Sequence, residues 1–122
     1  MRVADAQFEV IRRTASQGPC VIVGRCADYV LEEQKNVFNV FVRSDMENRV
    51  TRCREEFGLT EADARKLIRK TDKIRSNYYR YYTQTEWGDP SHYDLVIDAG
   101  RLGTDAAAYL IAAYVRQFDP KT

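Results

Sequence analysis

The chain has no lysine directly after any of its six glycines, so it lacks the pattern G-x-x-x-x-G-K-[ST] that cradles nucleoside triphosphates in many proteins. Its three cysteines, Cys20, Cys26 and Cys53, are odd in number and form no C-x-x-C pair, which argues against a disulfide framework and a zinc site. Cys20 and Cys53 are expected to be buried. The only histidine, His92, has no neighbouring partner ligand, so we interpret it as structural and expect no metal.

Further absences concern length and charge. No apolar run approaches the length needed to span a bilayer, and the residues before Phe8 lack the apolar stretch of a signal peptide. The net charge is +1, so no global field draws the chain to nucleic acid or to a membrane surface. At 122 residues we expect a single domain, with a reducing cytoplasmic setting as the default.

Short apolar runs alternate with amphipathic stretches along the chain. The runs predict buried strands at Cys20–Val23, Val37–Val42 and Asp94–Asp98. Between and around them the periodicity predicts helices at residues 4–16, 27–33, 46–57, about 60–86 and 104–118. Three buried strands separated by helices predict an α/β fold with three layers, in which a mostly parallel sheet lies between flanking helices.

Local signals predict where the helices begin, end and pack. Ser44 and Glu47 have the form of a capping box, Gly58 is a natural stop, and Thr60 and Thr104 are candidate caps. One stripe of the long helix is expected to face inward, namely Leu67, Thr71, Ile74, Tyr78 and Tyr81. The last helix is expected to bury Ala107, Leu110, Ile111, Tyr114, Val115 and Phe118.

Each predicted strand is followed closely by an arginine, namely Arg25, Arg43 and Arg101. Ligands of parallel sheets bind beyond the carboxyl ends of the strands, so the three endings together predict an anion site. Arg25 is the strongest candidate. Its guanidinium could hold a phosphate through two hydrogen bonds, and Gly24 lets the backbone come close.

The long helix carries a second candidate site. Residues 65–80 hold seven basic side chains against one acid, Asp72. Arg69, Asp72 and Arg75 are spaced by three, so they lie along one side, and the carboxylate could hold both arginines ready for a phosphoryl group. An ordinary solvated face with local ion pairs remains the alternative. Basic side chains with interleaved tyrosines would also suit RNA, although the neutral overall charge disfavours nucleic acid.

Taken together, the order and spacing of five segments resemble the C-terminal two-thirds of a cytidylate-kinase-like protein, in the P-loop nucleoside-monophosphate kinase superfamily. The resemblance runs from about Phe8 to Phe118. The segments are VIVGRCADYVL (21–31), NVFNVFVRSDMENRVTRC (36–53), EADARKLIRKTDKIRSNYYRYYT (61–83), WGDPSHYDLVIDAG (87–100) and LGTDAAAYLI (102–111). It implies a P-loop NTP hydrolase-like fold, truncated at its N-terminus, with residues 1–122 forming one domain.

The resemblance also implies a reaction and its residues. ATP with Mg²⁺ would give its γ-phosphoryl group to CMP or another nucleoside monophosphate. The acceptor would be bound by Gly24, Arg25 and Asp28, and the donor side would involve Arg49, Gly100 and Gly103. The catalytic group would be Arg69, Asp72 and Arg75, in a mobile lid at about residues 60–86 that closes over both phosphates.

The chain departs from this family at its beginning. The family opens with a strand and the G-x-x-x-x-G-K-[ST] loop, and that strand lies between the strands matched here by 20–23 and 37–42. Without it those two strands either pair directly or leave a gap, which predicts a chain of marginal stability or a homo-oligomer that fills the gap.

Three interpretations of the chain follow. It is a kinase fragment with little activity alone, a naturally short binding or regulatory module on the same scaffold, or an RNA-binding module.

Overall fold

The computed structural model of the protein describes residues 3–24 and 26–118, so Arg25 lies outside the described residues. The helices are α1 (Val3–Ser16), α2 (Ala27–Val30), α3 (Met46–Phe57), α4 (Glu61–Thr83), α5 (Ala99–Leu102) and α6 (Thr104–Arg116), with a 3₁₀ turn at Pro90–His92. The strands are β1 (Val40–Arg43) and β2 (Leu95–Asp98). None of the helices in these two described stretches is long and apolar enough to cross a membrane.

The two strands form a parallel pair, as the sequence predicts. Val40 lies opposite Leu95 and Arg43 opposite Asp98, so both carboxyl ends meet at one edge. Just before the pair, the backbone N–H of Asn39 donates to the Asp94 carboxylate at 2.7 Å, and the Asp94 N–H donates back to the Asn39 carbonyl at 2.8 Å. This reciprocal contact fixes the register at which the strands begin. The fold is a mixed α/β arrangement, as expected.

The predicted strand at Cys20–Val23 does not form, which is the main correction to the expected sheet. These residues have no ladder partner, and the side chains of Val21 and Val23 are 92% and 87% exposed. An apolar run becomes a strand only when another strand satisfies its backbone groups, and no strand in the described part of the chain lies beside it. Cys20 is correspondingly exposed and Cys53 only half-buried, so both cysteine predictions are wrong, whereas Cys26 is buried.

Nine of the eleven buried apolar residues in the described part of the chain lie in two separate clusters, and the other two are Ile97 on β2 and Ala107 on α6. The α1 cluster is formed by side chains of α1, of the residues around α2 and of the end of α4, namely Ala4, Phe8, Ile11, Cys26, Leu31 and Tyr79. The α3 cluster joins α3 to the first half of α4 through Val50, Ala64 and Ile68. The chain exposes 9412 Å² of surface, against roughly 6,800 Å² expected for a compact protein of this mass. The fold is therefore open rather than closed around one core.

The helix caps agree with the sequence in part. Thr60 accepts a hydrogen bond from the Asp63 N–H at 3.2 Å, and Gly58 ends α3 with φ of 66°, both as predicted. The capping box at Ser44 is wrong, because Asp45 is the residue whose carboxylate accepts from the Asn48 N–H. A carboxylate at this position is an equally good cap and also favours the positive end of the helix dipole.

The packing faces of the last two long helices differ from the prediction. Leu67, Ile74 and Tyr81 on α4 are exposed, and the buried residues are Ala64, Ile68 and Tyr79. On α6 only Ala107 is buried, and the rest of the expected face is exposed or half-buried. Helix α6 begins after Gly103 with no side-chain cap, so Thr104 is its first residue rather than its cap.

Candidate active site

The centre of the candidate site is an ion pair between α3 and α4. Arg49 lies in the first turn of α3, which begins directly after β1 because Asp45 caps it. Its two terminal nitrogens donate to both carboxylate oxygens of Asp72 on α4, at 2.7 and 2.5 Å. Both side chains are about one-third exposed. This two-bonded geometry fixes the planes of both groups and is the strong form of such a contact.

The environment of Arg49 favours its charged form. The hydrogen bond to Asp72 raises the pKa of Arg49, partial burial opposes this, and the charge of Asp72 adds to the increase. A second ion pair joins the same two helices, because Arg65 on α4 contacts both Glu47 and Glu61. Helices α3 and α4 are thus held together by charge contacts as well as by the α3 cluster.

The structure gives Asp72 a different partner from the one expected. Asp72 bonds Arg49 rather than standing between Arg69 and Arg75, whose side chains are exposed and make no ion pair within the described residues. Spacing by three brings residues to one side of a helix, but it does not outweigh an arginine from a neighbouring helix with better geometry. The two arginines are therefore available to a ligand.

Arg75 occupies an unusual position on α4. It lies seven residues after Ile68 and four before Tyr79, so it shares the inward face of the helix with these two buried residues. Yet Arg75 is exposed, because α4 packs on the α3 cluster with its first half and on the α1 cluster with its end. The guanidinium of Arg75 therefore lies on the exposed part of α4 between the α3 cluster and the α1 cluster.

A second contact ties the acceptor candidates to α4. The hydroxyl of Tyr79 donates a 2.7 Å hydrogen bond to the Asp28 carboxylate on α2. Burial first, and then the hydrogen bond to Asp28, raise the pKa of Tyr79 well above its usual range. Burial and the nearby Asp28 charge also raise the pKa of Cys26, to about 11, and the pKa of Tyr93 increases for the same two reasons.

Gly24 and Cys26, on either side of position 25, both have a left-handed backbone conformation. Gly24 has φ of 69° and Cys26 has φ of 57°, and the Ala27 N–H donates to the Gly24 carbonyl at 3.2 Å. A left-handed conformation is unfavourable for a side-chain-bearing residue such as Cys26, so the surrounding contacts must hold it. Arg25 itself lies in the gap between the described ranges, and its role stays a prediction.

The two glycines predicted on the donor side lie in and after α5. A Cβ at Gly100 would stand 2.1 Å from the Ser44 Oγ, so α5 packs directly against the turn that follows β1. Gly103 follows α5 with φ of 90° and open space around it. Gly100 is thus needed for close packing of the two strand-end segments, whatever else it contacts. Arg43, the last residue of β1, and Arg101, in α5, are both exposed.

Sequence analysis missed three contacts that shape this site, namely Arg49 with Asp72, Asp28 with Tyr79, and Ser44 with Gly100. The first two join residues 23 and 51 positions apart, beyond the reach of helical spacing. In the sequence, the only signals of these contacts were the lone acid Asp72 in a basic helix and Gly100 after a strand. Neither signal identifies the residue that is contacted.

The side chains present do not fit a metal ion by themselves. Among residues 3–24 and 26–118, no three His, Cys, Asp or Glu side chains are grouped so that they could hold one. The carboxylate closest to the candidate arginines, Asp72, is already fully engaged by Arg49. We therefore assign no residue of this chain to Mg²⁺.

Known proteins resemble this chain in sequence. The sequence model of the cytidylate kinase-like family matches residues 1–101, which is most of the chain. The chain belongs to the cytidylate kinase-like family. It is also similar to a cytidylate kinase of Methanopyrus kandleri (strain AV19), with 25% identity over 122 aligned positions, and the match covers 91% of this chain and 63% of that protein.

A solved structure shares the fold. The crystal structure of an uncharacterized protein from Eubacterium ventriosum ATCC 27560 superimposes with a TM-score of 0.91 at 33% sequence identity. The match covers 96% of this chain and 66% of that one. The chain therefore spans a little under two-thirds of the length of the relatives it matches.

Proposed function

We propose that this chain carries the acceptor and lid parts of a nucleoside-monophosphate kinase that transfers the γ-phosphoryl group of ATP to CMP or a similar monophosphate. Membership of the cytidylate kinase-like family implies a nucleotide kinase type of activity. The observation that carries the proposal is the Arg49–Asp72 contact. It joins the helix that follows β1 to the basic helix α4, and it leaves Arg69 and Arg75 exposed and unpaired among the described residues.

The chemistry supports this assignment. Phosphoryl transfer needs little covalent participation from the protein and depends on positioning and on neutralising charge. On this proposal Arg69 and Arg75 close over both phosphates, that of the acceptor and the one that is transferred. Asp72 fixes the plane of Arg49, and Gly24, Arg25 and Asp28 bind the acceptor. Gly100 and Gly103 line the donor side through the segment after β2.

The scaffold is proposed to be the P-loop NTP hydrolase-like fold without its first strand, with residues 1–122 as one domain and α4 as the lid. The apolar run at Cys20–Val23 supports this proposal, because it follows α1 and has no neighbouring strand among the residues that the structure describes.

Cytidylate kinases in general use ATP and Mg²⁺. The sequence contains no G-x-x-x-x-G-K-[ST] loop, and no group of side chains among residues 3–24 and 26–118 fits Mg²⁺, so no step is assigned to ATP or Mg²⁺ here. We expect CMP binding without appreciable phosphoryl transfer by this chain alone.

The test is a calorimetric titration of the purified chain with CMP, and a separate one with ATP and Mg²⁺. We expect CMP to bind, and Arg25→Ala and Arg75→Ala each to weaken binding by about tenfold, as loss of a charged hydrogen bond predicts. Lys66→Ala is the matched control for Arg75, because it is an exposed cation of the same helix without a partner in the described residues.

Three results would contradict the proposal. Absence of CMP binding by the wild-type chain would leave a scaffold without an acceptor site. Equal losses in Arg75→Ala and Lys66→Ala would show that only the general charge of α4 matters. Salt-sensitive RNA binding that is weakened by changing Lys70 and Lys73, together with no CMP binding, would favour the RNA-binding interpretation instead.

A further inference from the structure

We infer that Tyr79 is a positioning residue for the acceptor site, because its hydroxyl holds the carboxylate of Asp28 and so fixes α2 against α4. This inference rests on the function proposed above. Neither the family match nor the named relatives assign a role to Tyr79.

The first support is the geometry of the contact. The Tyr79 hydroxyl reaches the Asp28 carboxylate at 2.7 Å, a short distance typical of a hydroxyl donating to a charged oxygen. Tyr79 is buried in the α1 cluster, where its ring packs among side chains of α1 and of the α2 segment. The side chains of Thr85 and Tyr93 also lie within reach of this hydroxyl, so the phenol is held within a small polar group in which Asp28 is the charged acceptor.

The second support is the shortness of the segment to which Asp28 belongs. Helix α2 has only four residues, so it offers little stability of its own. Gly24 and Cys26, on either side of position 25, both have positive φ, and the Ala27 N–H donates to the Gly24 carbonyl at 3.2 Å. The carboxylate of Asp28 ties α2 to α4 by a hydrogen bond, in addition to the packing of Cys26 and Leu31 in the α1 cluster.

The third support is the position of Tyr79 on α4, close to the proposed lid arginines. Tyr79 lies one turn after Arg75 on the same face of α4. The contact to Asp28 therefore connects the turn that carries the proposed phosphate-binding Arg25 with the helix that carries the proposed lid arginines. A change at Tyr79 should alter acceptor binding without touching the ligand.

The test compares Tyr79→Phe with Tyr82→Phe in CMP titrations of the whole chain. Phenylalanine keeps the ring in both cases and removes only the hydroxyl. Tyr82 is the matched control, since its ring packs on Phe8 at 5.1 Å while its hydroxyl has no hydrogen-bond partner in the described stretches. We expect Tyr79→Phe to raise the dissociation constant for CMP about five- to tenfold and Tyr82→Phe to leave it within about twofold.

A second pair of variants shows whether Tyr79 acts through Asp28. Asp28→Ala should weaken CMP binding, and adding Tyr79→Phe to it should cause no further loss, because the contact is already gone. A purely structural role would lower the melting temperature of Tyr79→Phe and leave the dissociation constant, measured well below that temperature, unchanged.

The outcomes separate the two proposals. Failure of the wild-type chain to bind CMP would refute the proposed function, and the positioning role with it. Normal CMP binding by the wild type, with equal affinity in Tyr79→Phe and Tyr82→Phe, would refute the positioning role alone. Additive losses in the double variant would also refute it, since Tyr79 would then act independently of Asp28.

Discussion

The Arg49–Asp72 contact should make a measurable contribution to the stability of the chain. Exposed ion pairs contribute about 0–1 kcal/mol, whereas hydrogen bonds to charged groups contribute about 1.5–3 kcal/mol when they are shielded from water. Both side chains are about one-third exposed and share two bonds of 2.7 and 2.5 Å. We therefore expect a coupling energy of about 1–2 kcal/mol between the two residues, which lies between these limits.

A double-mutant cycle measures this energy. The free energy of unfolding in urea is determined for the wild type, Arg49→Ala, Asp72→Ala and the double variant. The control cycle uses Arg52 and Glu56, a pair on α3 alone whose side chains are 71% and 49% exposed. That pair should show little coupling, because water screens both charges. Raising the salt concentration should reduce the coupling energy of Arg49 and Asp72 only in part, since both side chains are only about one-third exposed to solvent.

The result that would refute the reasoning is a coupling energy for Arg49 and Asp72 no greater than that of the Arg52–Glu56 control. It would mean that α3 and α4 are joined by the α3 cluster and the Arg65–Glu47 pair, without a contribution from Arg49 and Asp72. The proposed role of Asp72 in fixing Arg49 would then lose its support.

Three further predictions follow from other parts of the structure. Gly100→Ala should lower the free energy of unfolding by about 1–3 kcal/mol, because the new Cβ would clash with the Ser44 Oγ. Adding Ser44→Ala should restore part of the lost stability, whereas wild-type stability of Gly100→Ala alone would contradict this packing. Thermal stability should fall as the pH rises from 9 towards 11, because the folded chain holds the Cys26 proton more tightly than the unfolded chain; Cys26→Ala should flatten that slope, and an unchanged slope would argue against it. The chain alone should unfold at low urea concentration and bind a hydrophobic dye, since Val21 and Val23 are exposed; a highly stable monomer that binds no dye would overturn the predicted marginal stability.

Much of the fold could be predicted because its signals are local. Thr60 and Gly58 mark helix ends through contacts with residues three or four positions away, and both predictions are confirmed. The parallel pairing of β1 and β2 was predicted from buried runs separated by helices. Cys20–Val23 carried the same kind of signal and failed, because a strand also needs a partner and periodicity says nothing about whether one is present.

The contacts among the candidate site residues could not be predicted from the sequence, and their membership of a site stays a prediction. Arg49 and Asp72 were both named from the sequence, yet on opposite sides of the proposed site. The structure instead joins them directly. Pairing between helices depends on how α3 and α4 cross, and that angle is determined by the α3 cluster rather than by spacing within either helix.

Helix α4 packs with a different face inward from the one that the sequence predicts. The predicted inward stripe was displaced by about a quarter of a turn from the observed one, because it followed the apolar side chains Leu67 and Ile74, both of which are exposed. A helix packed along its whole length would bury an apolar residue at position 75. Here α4 has 23 residues, is anchored at its two ends by separate clusters, and places Arg75 on the inward face between them. An unpaired cation such as Arg75 is tolerated there only because this part of α4 is open to water or to an anion. Arg75 interrupts the apolar face, and it is therefore the residue that best indicates where a phosphate would bind.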